Sequence, residues 1–457
     1  MKNSLPLFLL SVSACAIGPD APRSNLTLPE AYTTAYSAPK TDEGLWWDGF
    51  EDAQLDKLIR TAINDNLNVV AADARLRAAE AIARAQVSDF FPNIDGGISV
   101  QFPEGSAPQA ATSLSAGWSP DIFGAQRQAL YLARANAVSA SASARNARRL
   151  TASAVAATYV ELRRTDAQVA LLRQSLDLQQ QTLRIVTLRA EAGLAADLDV
   201  QRAAGDLART QAQSGPFTEA RTRASNALAA LSGKTPGTVQ IEANARGTIP
   251  SYKQGLSEGV PADLLRNRPD VQAAEANLVA AGQAIGIQMA DLLPSLNLSG
   301  FITSPLGTDD LAFGAFSRAN AALNVPLLDA GRRWAEVRAA RAQADEALAL
   351  YEQAILTAFQ DVENSLVAIQ AAEERLSDLD DAVSASEIAF DQLQALYTEG
   401  LATLIDVLDA QRQLIASREA YTNSEASVAQ AYVNLYTALG APVEIASGDD
   451  QSSDLAG

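Results

Sequence analysis

Sixty-eight residues separate Gly124 from Gly193, and none of them is glycine or proline. A stretch of that length, rich in Ala, Leu, Arg and Gln, predicts one helix of about 100 Å at ~1.5 Å per residue. Helices in ordinary domains average about three turns, so one of this reach belongs to a coiled coil or an extended assembly. The feature also occurs twice. Gly124 to Gly233 maps onto Gly331 to Gly440 at an offset of 207 without net insertion, and Ala133-Arg134-Ala135 recurs as Ala340-Arg341-Ala342. Upstream, Ala74, Leu76, Ala78, Ala79, Asp89 and Pro92 recur 202 positions later as Ala276, Leu278, Ala280, Ala281, Asp291 and Pro294. The chain is an internal duplication.

Both long helical stretches run into the same punctuation. Glu191-Ala-Gly-Leu-Ala-Ala-Asp-Leu-Asp-Val200 and Glu399-Gly-Leu-Ala-Thr-Leu-Ile-Asp-Val-Leu-Asp-Ala-Gln411 each place an aspartate six residues after a glycine. Each reads as the tip of a helical hairpin, with Gly193 and Gly400 supplying the positive φ of a sharp helix end. Asp199 aligns with Asp406, whereas Asp197 has no counterpart. Asp406 and Asp409 are three apart and therefore share a helix face. In the second long stretch Ile355, Phe359, Val362, Leu366 and Ile369 follow heptad spacing, which implies a left-handed coiled-coil seam.

The rest of the chain falls around these arms. Residues 1–14 read as a signal peptide, with Lys2 as the basic start and Leu5–Val12 as an apolar run too short to span a bilayer. Residues 15–50 form an N-terminal arm, expected to be extended and anchored by Trp46 and Trp47. The first repeat covers 51–233. It opens with a helix presenting Leu55, Leu58, Ile59, Ala62 and Ile63 on one face, and the helical pattern is expected to resume after Asn66 and run to Phe91, where Pro92 stops it. A β-hairpin at about 93–119 follows, where Ile94, Ile98, Val100 and Phe102 alternate with small or polar residues. The first tip lies at about 191–199, and Gly205 and Gly215-Pro216 are expected to kink the returning helix. A Gly- and Pro-rich linker at 234–260 separates the second repeat, 261–440, with its hairpin at about 295–326 and its tip at about 398–406. A tail, 441–457, ends the chain.

Composition narrows the chemistry. Histidine is absent, aromatics are 6% and there is one cysteine. No imidazole is available for a triad or a common metal site, and no Gly-rich phosphate loop of the Walker type occurs, so neither an enzyme nor a cofactor or metal protein is expected. The net charge of −19 repels nucleic acid and attracts cations.

Val12-Ser13-Ala14-Cys15 resembles a bacterial lipobox, which implies acylation of Cys15. Ala16 after it, rather than Asp, implies an outer-membrane destination. Cys15-Ala-Ile-Gly-Pro-Asp20, Trp46-Trp-Asp-Gly-Phe50 and above all Val260-Pro-Ala-Asp-Leu-Leu-Arg-Asn-Arg-Pro-Asp-Val-Gln-Ala-Ala-Glu275 resemble the TolC family of outer-membrane factors. The resemblance is to the lipoprotein (NodT-type) branch that serves resistance–nodulation–division efflux pumps. It covers nearly the whole mature chain. It implies a mainly α protein with a small β part, a homotrimer whose four strands per chain build one 12-stranded barrel continued by a helical tunnel, and a passive conduit from periplasm to exterior. It implies a periplasmic adaptor, an inner-membrane pump and outer-membrane lipid as partners, with no nucleic acid. It places Asp406 and Asp409 at the periplasmic constriction and Gly193, Leu194, Gly400 and Leu401 at adaptor-docking tips. Arg268, Pro269 and Asp270 become a structural signature. Tyr397 resembles a tyrosine that in some members bonds an aspartate matching Asp199 and so holds the tunnel shut. An arginine of those members is Ala402 here, and Arg202 is placed to pair with Asp406 or Asp409 instead. Crowded acids there are expected to raise one another's pKa. Two alternatives remain: the same architecture in metal efflux or type I protein secretion, and a lipid-anchored coiled-coil scaffold or adhesin without a pore. Cargo is not written in the chain.

Overall fold

The computed structural model describes residues 22–27, 29, 45–102, 104–105, 108–238, 248–253, 268–306 and 317–443. Cys15 and the signal segment lie outside the described residues. After a short 3-10 helix at Trp46–Phe50 come α1 (Ala53–Asp65), α2 (Leu67–Ser88), β1 (Asn93–Gln101), β2 (Gln109–Trp118) and α3 (Ala125–Glu191). Then follow α4 (Asp197–Ala212), α5 (Ser214–Leu231), α6 (Pro269–Ala290), β3 (Ser295–Leu306), β4 (Ser317–Asn324), α7 (Arg332–Thr398) and α8 (Leu404–Leu439). The duplication is visible element by element. Helices α2 and α6 are both 22 residues, and α3 and α7 are both 67. Gly124, Gly193 and Gly233 all have positive φ, and so do Gly331, Gly400 and Gly440 at their repeat positions.

The compact units do not follow the repeats. One draws on Met1–Thr27, Asp73–Ser143 and Asp270–Ala354, the other on Leu28–Ala72, Ala144–Pro269 and Ile355–Gly457. Each takes matching parts from both copies, because one amphipathic repeat alone leaves its apolar face without a partner.

The first unit holds an antiparallel sheet in the order β1-β2-β3-β4. Its register alternates faces cleanly. Ile94, Ile98, Val100, Leu114, Leu298, Ile302 and Leu323 fall on one face, and Asn93, Ser99, Ser113, Ser115, Ser299 and Asn320 on the other. Among the described residues, strands β1 and β4 are the edges of this sheet. Helix α6 packs through Ile285 against Ala340 and Ala344 of α7. Gly286 brings its backbone against Gln128, whose Cδ lies 2.8 Å from where a Cβ would stand.

Away from the hairpin tips, two buried centres stand out among the described residues of the second unit. In one, the arm departs from the extended course expected for it. The sequence Trp46-Trp-Asp-Gly-Phe50 winds into a 3-10 turn so that both indoles turn inward. Trp46 stacks on Tyr436 at 5.8 Å, Trp47 Nε1 donates to Asp56 at 2.9 Å, and Phe50 meets Tyr252 edge-on at 5.2 Å. In the other, a polar network joins α1, α3 and α5. Tyr159 donates to Asp52 at 2.7 Å, Arg163 donates to the Tyr159 hydroxyl and to Asp166, and Arg221 reaches Asp166 at 2.8 Å. Burial and the neighbouring Asp52 carboxylate keep the Tyr159 hydroxyl neutral by pushing its pKa up. The heptad positions Ile355, Val362, Leu366 and Ile369 are buried.

Two boundaries differ from the sequence reading. Helix α2 stops at Ser88 rather than Phe91, because Pro92 drives the residue before it out of the helical region. The first return arm breaks at Gln213, while Gly205 stays inside α4. Pro216 has no N–H to give and is accommodated only in the first turn of a new helix, α5.

The return arms end on one device made twice. Asn66 Nδ2 donates to Leu231 O at 2.8 Å at the end of α5, and Arg268 Nη1 donates to Ala438 O at 2.8 Å at the end of α8. Asn66 and Arg268 occupy equivalent repeat positions, immediately before α2 and α6. Arg268 also reaches Asp361 at 3.2 Å, and Arg149 donates to Thr437 O beside it. Pro269 is the first residue of α6, and Asp270 lies in its first turn. The signature triplet thus caps one helix and starts another.

Candidate functional site: two hairpin tips

Both tips lie in the second unit and end their long helices identically. At the first, Gly193 has φ +75°, its N–H donates to Ala190 O at 2.9 Å, and Leu194 N–H donates to Arg189 O at 2.8 Å. At the second, Gly400 has φ +82°, with Gly400 N–H to Tyr397 O at 3.0 Å and Leu401 N–H to Leu396 O at 2.8 Å. These paired bonds form a Schellman motif, in which the residue after the glycine commonly folds back on the last turn. Here it does not. Leu194 is 68% exposed and Leu401 71%.

The restart is where the two tips diverge. Helix α8 opens with a capping box. Asp406 accepts from Thr403 N at 2.9 Å and Thr403 Oγ1 at 2.6 Å, and Thr403 Oγ1 accepts from Asp406 N at 3.4 Å. Helix α4 has Ala196 at its N-cap, which offers no side-chain cap. A capped start is worth about 1 kcal/mol. The hydroxyl and backbone N–H of Thr403 hold the Asp406 carboxyl below its ordinary pKa, so within one chain the expected upward shift is reversed. A depressed carboxyl stabilises above its unfolded pKa and loses that contribution only as pH falls through the lowered value. The box therefore holds throughout neutral and mildly acid conditions.

Charges near the tips pair within the chain. Arg202 meets Asp199 of its own helix at 3.5 Å, not Asp406 or Asp409. Asp409 pairs with Arg412 at 2.7 Å, and Arg412 lies 4.0 Å from Asp206 of α4. Asp406 and Asp409 are both exposed on one side of α8. Beneath them Val186, Phe390, Tyr397, Leu404, Val407, Leu408 and Leu414 form a continuous apolar centre.

Tyr397 is buried in that centre. The Arg189 guanidinium lies 4.8 Å over its ring and donates to Thr398 O at 3.1 Å. A cation at the C-terminal ends of two helices meets the negative pole of both. Burial raises the Tyr397 pKa, Arg189 opposes that, and the Asp199 carboxylate adds to it. The phenol hydroxyl makes no hydrogen bond to Asp199. Arg189, Asp206 and Arg412 are the tip residues that sequence reading missed. Arg189 carried one usable signal, a base in the last turn of a helix.

Among the described residues no helix is long and apolar enough to cross a membrane. Comparison with known proteins gives the fold a context. The family model described as outer membrane efflux protein matches residues 58–234 and 260–441. Nodulation protein T of Rhizobium leguminosarum bv. viciae is 31% identical over 445 residues, covering 95% of this chain and 92% of that protein. The pyoverdine export outer membrane protein OpmQ of Pseudomonas aeruginosa is 31% identical over 461 residues, covering 96% and 97%. Among solved structures, the outer-membrane channel OprN aligns with a TM-score of 0.84 at 29% identity, covering 93% of this chain and 99% of that one. CusC, described with transmembrane channel formation, aligns at 0.79 and 26% over the same shares. With its duplicated helical hairpins, its four-stranded sheet and matches across both repeats, the chain belongs to the outer membrane efflux protein family, whose members are channel components of the outer membrane.

Proposed function

We propose that three copies close around a water-filled axis to form the outer-membrane conduit of a tripartite efflux system. The observation that carries this is the sheet: it has an apolar face, a polar face and two edges with no partner strand among the described residues. Such edges cannot face lipid, so the strands must be closed by strands of other copies. Four strands from each of three chains give the even number that bacterial barrels use. The test is purification from membranes followed by planar-bilayer recording. Heat-resistant trimers that conduct support the conduit, and a stable monomer without a conducting state overturns it.

Within that assembly the exposed acids Asp406 and Asp409 line the periplasmic entrance, with Asp199, Arg202 and Tyr397 contributing to the closed state. Leu194 and Leu401, apolar and exposed one residue after each tip glycine, dock the hairpins of a periplasmic adaptor, which links the channel to an inner-membrane pump. Leu194→Asp combined with Leu401→Asp should abolish efflux in cells while heat-resistant trimers persist. Normal efflux by that variant counts against docking at the tips.

Cys15 anchors the arm in lipid. An acyl chain adds on the order of 0.8 kcal/mol per buried methylene, and stable anchoring takes more than one chain. Mass spectrometry of the mature protein should find an acylated N-terminal Cys15, and Cys15→Ser should remove that mass. An unmodified mature wild type refutes the anchor.

A further inference from the structure

The strands carry two formal charges. Asp95 on β1 and Arg318 on β4 are the only Asp, Glu, Lys or Arg within β1–β4, and both lie on the polar face. That face is otherwise built mainly from Asn, Ser, Gly and Ala, with one large apolar residue, Phe301. The register places Phe301 directly opposite Arg318 and also opposite Ser115, which in turn faces Asp95. Directly opposed residues hold their Cβ atoms about 4.5–5.5 Å apart, within reach of a guanidinium and a ring.

The ends of the strands give the level of each group. Strand β1 begins at Asn93, β3 begins at Ser295 and β4 ends at Asn324, each next to a helical connection. These ends mark one rim of the sheet. Phe301 stands six residues along β3 from Ser295, and Arg318 six residues back from Asn324, whereas Asp95 is two residues from Asn93. At ~4.8 Å between strands and a tilt of ~40°, each step across this row changes the level by about 3 Å, so Phe301 and Arg318 stand within about 3 Å of one level, roughly 15 Å above the rim. Asp95, three strands from Arg318 in the same row, lies about 9 Å nearer to the rim than Arg318 does. The acid and the base therefore fall in separate tiers rather than cancelling.

We propose that in the closed barrel Arg318 and Phe301 form a ring of three guanidinium–aromatic pairs that favours planar anionic solutes, such as aromatic carboxylates and sulfonates. The claim rests on the trimeric conduit reading. The polar face of a barrel lines its lumen, and a ring of arginines there attracts anions. An aromatic ring beside each guanidinium adds a flat apolar surface to the charge, which a small inorganic anion cannot use. This filter is distinct from the tip acids, which favour cations.

The test is the reversal potential of the full-length channel in planar bilayers under a potassium chloride gradient. Near 0.01 M salt the Debye length is ~30 Å, so the ring acts across the lumen, and near 1 M it falls to ~3 Å. Arg318→Gln should lower the anion-to-cation permeability ratio by at least about twofold at low salt, and Arg318→Glu by more. Arg318→Lys should keep the ratio but lose most of the block by 1,3,6-naphthalenetrisulfonate that wild type shows. Phe301→Ala should weaken that block without moving the ratio. Heat-resistant trimers on gels confirm that each variant assembles. A wild type that never conducts overturns the conduit and this ring together. A conducting wild type whose ratio and block are indifferent to Arg318→Gln and Arg318→Glu overturns the ring alone. Arg318→Lys and Phe301→Ala act independently of any loss of assembly in the charge-removed variants, so block that is unchanged in both also overturns it.

Discussion

Asp406→Asn combined with Asp409→Asn should raise the resting conductance of the reconstituted channel and weaken its block by divalent cations by roughly tenfold. Three chains would bring six carboxylates to one axis. At ~8 Å and the dielectric of water, each unit charge pair contributes on the order of 0.5 kcal/mol before screening. A divalent ion meets several at once, so loss of the ring easily exceeds the ~1.4 kcal/mol that a tenfold change needs. Asparagine is the informative replacement. Asp406 is the acceptor of the capping box with Thr403, and an amide oxygen can still accept from Thr403 N. Asp406→Ala would remove the acceptor of the capping box, fray the first turn of α8 as well, and mix folding with charge. Asp409→Asn also breaks the 2.7 Å ion pair to Arg412 and with it the link toward Asp206. Both effects loosen the entrance. Unchanged conductance and unchanged block in the double variant would remove these acids from the constriction.

Gly233→Ala should prevent recovery of heat-resistant trimers, while Gly193→Ala leaves them in place. Both glycines have positive φ, +66° and +75°, and an alanine there costs about 1–2 kcal/mol in either case. Their surroundings decide the rest. A Cβ on Gly193 meets nothing within 4 Å, whereas one on Gly233 would overlap the carbonyl oxygen of Asp65, which is backbone and cannot swing away. Relief requires α1 and α5 to part, which also pulls Asn66 from Leu231 O. Severe destabilisation is the outcome expected when overpacking meets a fixed main chain. Thermal melts of the two variants side by side check it, and equal melting temperatures would refute the contrast.

The fold was largely legible because its punctuation is repeated. Glycines at one offset, prolines before the hairpins and an uninterrupted 68-residue run between Gly124 and Gly193 fix the helices and turns with little help from tertiary contacts. Where context competes with local rules, the reading slipped. The 3-10 turn at Trp46–Phe50 forms because Tyr252 and Tyr436, far along the chain, offer faces for its rings. The break at Gln213 was readable as a break but not its place, since Gly205 is tolerated inside a packed helix and Pro216 is not tolerated beyond the first turn. At the tips, the glycines, leucines and acids stood out from the repeat itself. Thr403-x-x-Asp406 was also readable as a capping box. Of Arg189 only its place in the last turn was readable, and of Arg412 only its spacing of three from Asp409; their partners Tyr397 and Asp206 come from the other hairpin and share no spacing with them.

The joint at the foot of each return arm carries a lesson in inheritance. Two sister positions, Asn66 and Arg268, hold the same carbonyl of their own copy at the same 2.8 Å, one with a neutral amide and the other with a cation. Descent preserved the geometry and let the chemistry drift, so the sisters are no longer interchangeable. An arginine at 66 would arrive in a buried niche without an Asp361 to answer it. An asparagine at 268 would be too short to keep both of the bonds its predecessor made. At this joint each half of the doubling is a specialist, and copying one residue into the other half would not restore its bonds.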